Sequence, residues 1–205
     1  MRRTKLILAV AALALANPQT RAQQAAQAPP PAQLNESGQL IVDGQSTPYR
    51  IRRLPISSFP DLPAPLAELL TLRGCMIPQT YEANHPENVV HASLESPGSS
   101  DWAALCSSQG TVSLLVYFAS APSKLLVLAS VPETARLQVH DVTGVLGFNW
   151  GIDPATAQHI HEMQTSMEHR PARLDHDALA DSTVDRRTVY RFYLNNAWTL
   201  LDVPE

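Results

Sequence analysis

The sequence predicts an α+β fold, mainly an antiparallel sheet with two or three short helices and a C-terminal β-hairpin. Nearly continuous runs of branched apolar residues at 111–118 and 125–131 are typical of strands covered on both faces. Two proline-led segments carry apolar residues at helical spacing, and an Asn-Asn pair near the C-terminus is typical of a tight hairpin turn. The chain has 205 residues, 44% apolar and 17% charged, which is the composition of a globular protein with a single domain.

The start of the chain has the layout of a secretory signal peptide. Its basic residues are Arg2, Arg3 and Lys5. The apolar run at 6–15 is about half of the ~20 residues that a membrane span needs, which predicts a cleaved leader and no permanent anchor. Cleavage after Ala16 fits an A-x-A site and Ala22 is the alternative, so the predicted signal peptide is 1–16 or 1–22.

Two further regions follow the leader. Residues 17–37 are rich in Pro, Gln and Ala, with few side chains to bury, and predict a disordered tail. Residues 38–205 are predicted to form a single globular domain. Removal of 1–16 takes away three positive charges, so the formal charge falls from -4 to -7. This acidic chain has no basic cluster after the leader, which argues against a nucleic-acid partner.

The first elements of the domain are a strand pair and a helix. Residues 38–54 predict two short strands around a turn at 43–44, and Ile51, which alternates with arginines, predicts an edge strand. A Pro-x-Pro sequence at 63–65 predicts the start of a short amphipathic helix that packs on the sheet and ends before Gly74. The apolar stripe of this helix is Leu66, Leu69, Leu70 and Leu72.

The middle of the chain predicts strands. Residues 89–94 have the pattern of a half-buried strand. The apolar runs at 111–118 and 125–131 predict central strands. Residues 136–148 predict another strand pair around a turn at 143–144, and an antiparallel sheet joins these segments most simply.

Asp153 followed by Pro154 predicts a second helix, with Asp as the N-cap and Pro at the first helical position. The helix is expected to reach Glu168, with a buried stripe of Ala157, Ile160, Met163 and Met167. His159 and His161 then lie two positions apart on a helix. Such side chains point about 200° apart, which favours solvated histidines over a metal site.

The C-terminal segment predicts a hairpin of 188–194 and 197–203 across the Asn-Asn pair at 195–196. Asparagine tolerates the positive φ of a two-residue turn. That turn would pair Tyr193 with Trp198 and Phe192 with Thr199. One face of the hairpin should then belong to the core.

Cys75 and Cys106 are the only cysteines, and in an exported chain they are expected to form a disulfide. The bond would close a loop of 31 positions, for which the chain-entropy estimate is about 3–4 kcal/mol. The alternative is a pair of buried free thiols. Two cysteines are too few for a disulfide-scaffold mini-protein or a four-cysteine zinc site.

The most unusual polar stretch contains Asp175, Asp177 and Asp181. Their spacing resembles the start of an oxygen-rich calcium loop, so they are candidate calcium ligands. However, Ala178 stands where such a loop needs glycine, and Arg186 stands at the position of the bidentate glutamate. The favoured alternative is that these aspartates cap turns and helices. Any ligand site is expected near this loop, because loops on a rigid sheet collect binding residues.

No motif of the chain carries a recognisable catalytic function. No serine lies in a G-x-S-x-G elbow, and no paired carboxylates have a glycosidase context. The leading hypothesis is a non-enzymatic, periplasmic or secreted binding module whose partner is a protein, an envelope polymer or a small ligand. The alternatives are a hydrolase with an unrecognised active site and a structural envelope protein. A histidine or carboxylate beside a nucleophile in a pocket would favour the hydrolase, and a large exposed apolar patch the structural protein.

Three sequence blocks occur together: GCMIPQ at 74–79, DWAALCS at 101–107 and LDHD at 174–177. They resemble the motifs G-C-x-I-P-Q, D-W-A-x-L-C-S and L-D-H-D-G-I of a group of uncharacterised exported bacterial proteins. The resemblance covers 74–203 and implies export without implying an activity. Residues 92–106 are also faintly similar to one FG-GAP-type repeat, which implies a strand, a polar loop and an Asp-x-Ala entry into an apolar strand.

Overall fold

A computed structural model describes residues 35–204, and these residues form mostly antiparallel β-sheets with few helices. The predicted signal peptide and nearly all of the predicted tail lie outside them. The strands are β1 (Asn35–Val42), β2 (Gln45–Leu54), β3 (Ile77–Gln79), β4 (Val89–Ala92), β5 (Asp101–Ser108), β6 (Thr111–Tyr117), β7 (Leu126–Pro132), β8 (Leu137–Val139), β9 (Leu146–Phe148), β10 (Trp150–Ala155), β11 (Ala178–Thr183), β12 (Arg187–Leu194) and β13 (Ala197–Leu200).

The helices are short. They are α1 (Ala64–Leu72) and α2 (Ala157–Met163), with 3₁₀ turns at Ile56–Ser58, Glu133–Arg136 and Gln164–Ser166. Helix α1 has the predicted proline-led start. Within residues 35–204, neither helix has the length and apolar character that crossing a membrane requires.

The first sheet has the strand order β1-β2-β9-β8, and β3 also pairs with β2. The predicted turn at 43–44 joins β1 to β2, but β1 begins at Asn35, three residues before the predicted domain start at Gly38. The predicted edge position of Ile51 is wrong, because β2 lies between β1 and β9 and Ile51 is 1% exposed. The alternation of Ile51 with arginines suggested a strand with one solvent-exposed face. Arg53 is instead buried in an ion pair, so this alternation does not mark an edge.

The second sheet is the antiparallel meander β4-β5-β6-β7. Strand β6 is central and buried on both faces, as predicted. The prediction that 125–131 forms a central strand is wrong, because β7 lies at the sheet edge and Val127 is 48% exposed. An apolar run predicts a strand but does not show whether the strand is central or at the edge of its sheet. The central strand β5 contains Ala, Cys and Ser, residues with little strand propensity, and only the FG-GAP-type resemblance implied it.

The third sheet is the meander β10-β11-β12-β13. Strands β12 and β13 form the predicted hairpin, and Asn195 and Asn196 have φ values of 52° and 62°. Tyr193 lies opposite Trp198 and Phe192 opposite Thr199, as the two-residue turn requires. The predicted register is therefore confirmed. It could be predicted because a two-residue turn alone determines which residues lie opposite each other.

The prediction of a helix start at Asp153 and Pro154 is wrong, because both residues belong to β10. Strand β10 is an edge strand of the third sheet, and edge strands tolerate a proline, which cannot donate to the hydrogen-bond ladder. Helix α2 is instead capped by Thr156, whose hydroxyl accepts a 3.1 Å hydrogen bond from the backbone N–H of His159. The helix also ends before the predicted Glu168.

Both meanders have one face against a helix and one face in the principal core. In β5, Ala103 and Leu105 point into the principal core, whereas Ala104 and Cys106 pack beneath α1. In the third sheet, Leu179 joins the principal core and its neighbours face α2. The principal core also contains Ile51, Val90, Leu94, Val112, Leu114, Val116, Phe148, Trp150 and Ile152. Coverage on both faces explains why β6 reads as a continuous apolar run.

Candidate functional site

An open groove lies on the α1 face of the second sheet, beside the segment that leads into α1. It encloses about 580 Å³, a volume within the range of small-ligand sites. Its principal lining residues are Phe59, Pro60, Asp61, Pro86, His91 and Trp102, and we call it the Trp102 groove. The lining combines aromatic and prolyl rings with one carboxylate.

Strands β4 and β5 position two of these rings. His91 lies directly opposite Trp102 in the antiparallel register, so both side chains stand on the same face of the sheet. Their rings stack, with centroids 4.5 Å apart and planes 15° from parallel. Among residues 35–204, no group accepts a hydrogen bond from the Trp102 indole N–H, which leaves a donor at the groove.

The opposite wall is the segment between the first 3₁₀ turn and α1. The backbone N–H of Phe59 donates to the carbonyl of Ile56, and the N–H of Leu62 donates to the carbonyl of Phe59. Leu62 is buried beneath α1 and anchors the segment. Because these bonds and Pro60 hold the wall, the groove exists before a ligand arrives, and less ordering entropy is lost on binding.

The charge in and beside the groove is negative. Asp61 is exposed and forms no ion pair with any residue in the described range. Glu87 follows Pro86 in the chain, and its carboxylate accepts a 2.7 Å hydrogen bond from the N–H of Thr80. The groove therefore favours neutral or cationic ligand groups.

Asp101 organises the loop beside the groove. The buried carboxylate accepts backbone hydrogen bonds from Leu94 at 3.0 Å, Glu95 at 2.7 Å and Ala119 at 3.0 Å, and another from the hydroxyl of Ser99. These donors satisfy the carboxylate without a metal ion. The ordered loop holds the Ser100 hydroxyl 2.7 Å from Nε2 of His91.

The candidate calcium ligands do not converge. Asp175 contacts Nδ1 of His176 at 2.6 Å, and Asp177 accepts a 3.1 Å hydrogen bond from the N–H of Ser93. Asp181 is buried in β11, where it accepts bonds from Trp150 Nε1 at 2.6 Å and Arg191 Nε at 2.8 Å. Within residues 35–204, no three His, Cys, Asp or Glu side chains are arranged to hold a metal ion. The structure therefore does not bring these three carboxylates together as a calcium loop would.

A smaller concavity of about 260 Å³ lies at the predicted acidic loop, and Asp175, His176 and Tyr193 line it. Nε2 of His176 lies 2.9 Å from the carbonyl oxygen of Tyr193, which only accepts hydrogen bonds, so Nε2 carries a proton. The ring also stacks on Phe192. His176 holds the hairpin against the loop and has no free nitrogen for general-base catalysis.

A third concavity of about 570 Å³ lies between β12 and residues 200–204. Tyr190 is its single aromatic lining residue. Ligand sites depend on aromatic surfaces with a few convergent polar groups. Of these three concavities, the Trp102 groove has the most aromatic rings and is therefore the candidate site.

The remaining predicted site residues have structural surroundings. Cys75 and Cys106 form the expected disulfide, with Cα atoms 5.0 Å apart, and both are buried beneath α1. His159 and His161 lie on α2, where positions i and i+2 diverge. Trp198 packs against Phe118 and Tyr193.

Phe59, Asp61 and His91 are site residues that the sequence did not predict, although Trp102 lies in the block DWAALCS at 101–107. The pairing of His91 with Trp102 depends on β5, which has a weak strand signal. Recognition of the short hairpin between β4 and β5 would have predicted that pair.

His91 and Ser100 are the described pair that most resembles a catalytic dyad. Within residues 35–204, no carboxylate hydrogen-bonds to His91, so the pair lacks the third group that orients a catalytic histidine.

Large exposed apolar side chains are spread over several elements: Ile41, Val42, Leu72, Val127, Val139, Val142, Leu194 and Leu200. Comparison of the chain with models of protein families, with curated proteins and with solved structures found no match.

Proposed function

We propose that this protein is an exported, non-enzymatic binding module and that the Trp102 groove is its ligand site. The observation that carries the proposal is the combination of a preformed groove of about 580 Å³ with stacked aromatic rings and an indole donor that has no partner in the described chain. Such a surface binds a ligand by apolar contact and orients it through a few polar groups.

Export is supported by the leader-like residues 1–16, by the resemblance to exported bacterial proteins and by the buried disulfide. Disulfides persist in oxidising compartments outside the cytosol. The intact mass of protein recovered from the periplasm or the medium tests this part. We expect a chain that begins after Ala16 or Ala22, and retention of Met1 in most molecules would contradict export with cleavage.

The groove itself is tested with small amphipathic probes such as phenol and isopropanol, monitored by NMR of the protein. Binding surfaces collect such probes, so we expect the largest shifts at Phe59, Val89 and Trp102. In an equivalent titration, a Phe59→Ala variant should show smaller shifts, because it lacks one of the rings that line the groove. Shifts concentrated at Asp175 and His176 would instead assign the ligand site to the smaller concavity.

A hydrolase is the second candidate, and the 2.7 Å contact between His91 Nε2 and Ser100 Oγ is the observation in its favour. The test is turnover of chromogenic esters, amides and glycosides by the wild type and by Ser100→Ala. We expect no turnover that depends on Ser100. Turnover by the wild type that Ser100→Ala abolishes would replace the binding proposal with the enzymatic one.

A further inference from the structure

We propose that the Trp102 groove binds an extended, proline-rich peptide that carries a basic residue. This inference rests on the proposed function and names the class of its ligand. Three features of the groove support it: its ring surfaces, an indole donor without an acceptor among residues 35–204, and its charge.

The ring surfaces fit prolyl side chains. Phe59, Pro60, Pro86 and Trp102 present rigid rings along an open groove. Proline-rich peptides dock in aromatic-lined grooves in the polyproline II conformation, which is already populated before binding. Because both surfaces are preformed, little conformational entropy is lost when they meet.

The donor fits the backbone of such a peptide. A polyproline II chain has no internal hydrogen bonds, so its carbonyl oxygens need external donors. The Trp102 indole N–H only donates, and it has no acceptor among the described residues. His91 covers one face of the indole at 4.5 Å, which removes that face as a platform for a sugar ring. The indole therefore favours donation to a carbonyl over stacking on a saccharide.

The charge fits a basic residue beside the prolines. Asp61 has no ion pair in the described chain, and Glu87 lies next to Pro86. The whole chain has a formal charge of -4, which also favours cationic partners. An arginine near the end of a neutral proline segment would complement this groove.

The experiment is an NMR titration of the exported chain with the end-blocked peptide Arg-Ala-Pro-Pro-Ala-Pro-Pro-Ala. The indole N–H signals of Trp102, Trp150 and Trp198 report three different places. Trp150 Nε1 is bonded to Asp181, and Trp198 Nε1 is buried with no acceptor in the described part of the chain, so both serve as internal controls. We expect the peptide to shift the Trp102 signal and to leave the other two unchanged.

Variants then test each contact by fluorescence anisotropy of the labelled peptide. Trp102→Phe keeps a ring but removes the donor, and we expect affinity to fall about fivefold. Asp61→Asn removes the charge, and affinity should fall about twofold to fivefold and lose most of its salt dependence. Asp175→Asn is the matched control, because Asp175 is an exposed aspartate at the concavity of about 260 Å³, and this variant should bind like the wild type. Should Trp102→Phe fail to fold, Asp61→Asn still tests the proposal, because Asp61 is exposed.

Control ligands separate failure of this inference from failure of the proposed function. A peptide with serine in place of each proline should bind at least about tenfold more weakly, and equal binding would overturn proline recognition. If a β-1,4-linked N-acetylglucosamine hexamer shifts Trp102 and the peptide does not, the inference falls while the groove remains a binding site. If the peptide, the hexamer and the small amphipathic probes all leave Trp102 unshifted, both the inference and the proposed function fall.

Discussion

The guanidinium of Arg53 in β2 is bound to the carboxylate of Glu133 beyond β7, with Nε and Oε1 3.0 Å apart, and both residues are nearly fully buried, at 5% and 2% exposure. Ser107 of β5 accepts a second bond from Arg53 Nε at 3.1 Å. Glu36 of β1 accepts another from the same guanidinium at 2.8 Å. One side chain therefore links the first and second sheets.

Removing that side chain should be strongly destabilising. In Arg53→Met, Glu133 keeps a buried charge without its partner, and we expect a loss of about 3–5 kcal/mol in the free energy of unfolding. Urea unfolding measures it. The double variant Arg53→Met, Glu133→Leu should recover most of the loss, and Arg52→Met, which changes an exposed neighbour, should cost less than about 1 kcal/mol. A double variant as unstable as Arg53→Met would contradict the unpaired-charge explanation.

Glu36 should make stability depend on pH. The hydrogen bond from Arg53 lowers the pKa of Glu36 in the folded protein. Its stabilising contribution is therefore complete above the unfolded pKa and is lost as the pH falls through the lower folded pKa. We expect Glu36→Gln to be less stable than the wild type at neutral pH. Thermal midpoints measured from pH 7 downwards should converge in acid, and a difference that persists unchanged to the lowest pH would refute the linkage.

The ionisation of Asp153 should affect stability in the opposite direction to that of Glu36. Although Asp153 is exposed at the surface, partial desolvation by neighbouring protein atoms and the charge of Glu87 raise its pKa in the folded protein, so its ionisation opposes folding. We expect Asp153→Asn to raise the thermal midpoint at pH 7, because the neutral amide removes that cost. The advantage should vanish once the pH lies below the unfolded pKa. Asp61→Asn is the matched control, and an equal gain in that variant would show a general charge effect instead.

The disulfide should stabilise the fold beneath α1. Replacing Cys75 and Cys106 together with alanine releases a loop of 31 positions, for which the chain-entropy estimate predicts a loss of about 3–4 kcal/mol. Guanidinium unfolding of the wild type and the double variant measures the difference. In the native wild type the bond should resist external reductant, because both residues are buried. A loss below about 1 kcal/mol would contradict this constraint on the unfolded chain.

Calcium should leave stability unchanged. Asp175, Asp177 and Asp181 are each bound to different protein groups, so within residues 35–204 they do not form a shared site whose occupation would stabilise the folded state. We expect the same thermal midpoint in 10 mM calcium as in 10 mM magnesium or in chelator, within about 1 °C. A saturable rise that is specific to calcium would show that the carboxylates rearrange around the ion.

Features with local causes can be predicted from the amino-acid sequence. The Asn195–Asn196 turn sets the register of the C-terminal hairpin, because a two-residue turn leaves one pairing of the flanking strands. The pairing of Cys75 with Cys106 follows from there being two cysteines in the chain. Similarly, Pro63 and the leucine spacing after it place α1. Each of these signals lies within a few residues or depends on a count.

Features that depend on distant neighbours emerge only in the folded chain. Asp153 and Pro154 have the local signature of a helix start, yet pairing with β11 makes them part of an edge strand. The burial of Arg53 depends on Glu133, 80 residues away. The Trp102 groove likewise forms where β4 and β5 meet the segment before α1, more than 25 residues earlier in the chain. Local patterns carry no information about such contacts, because the side chains that create them belong to segments that only the folded chain brings together.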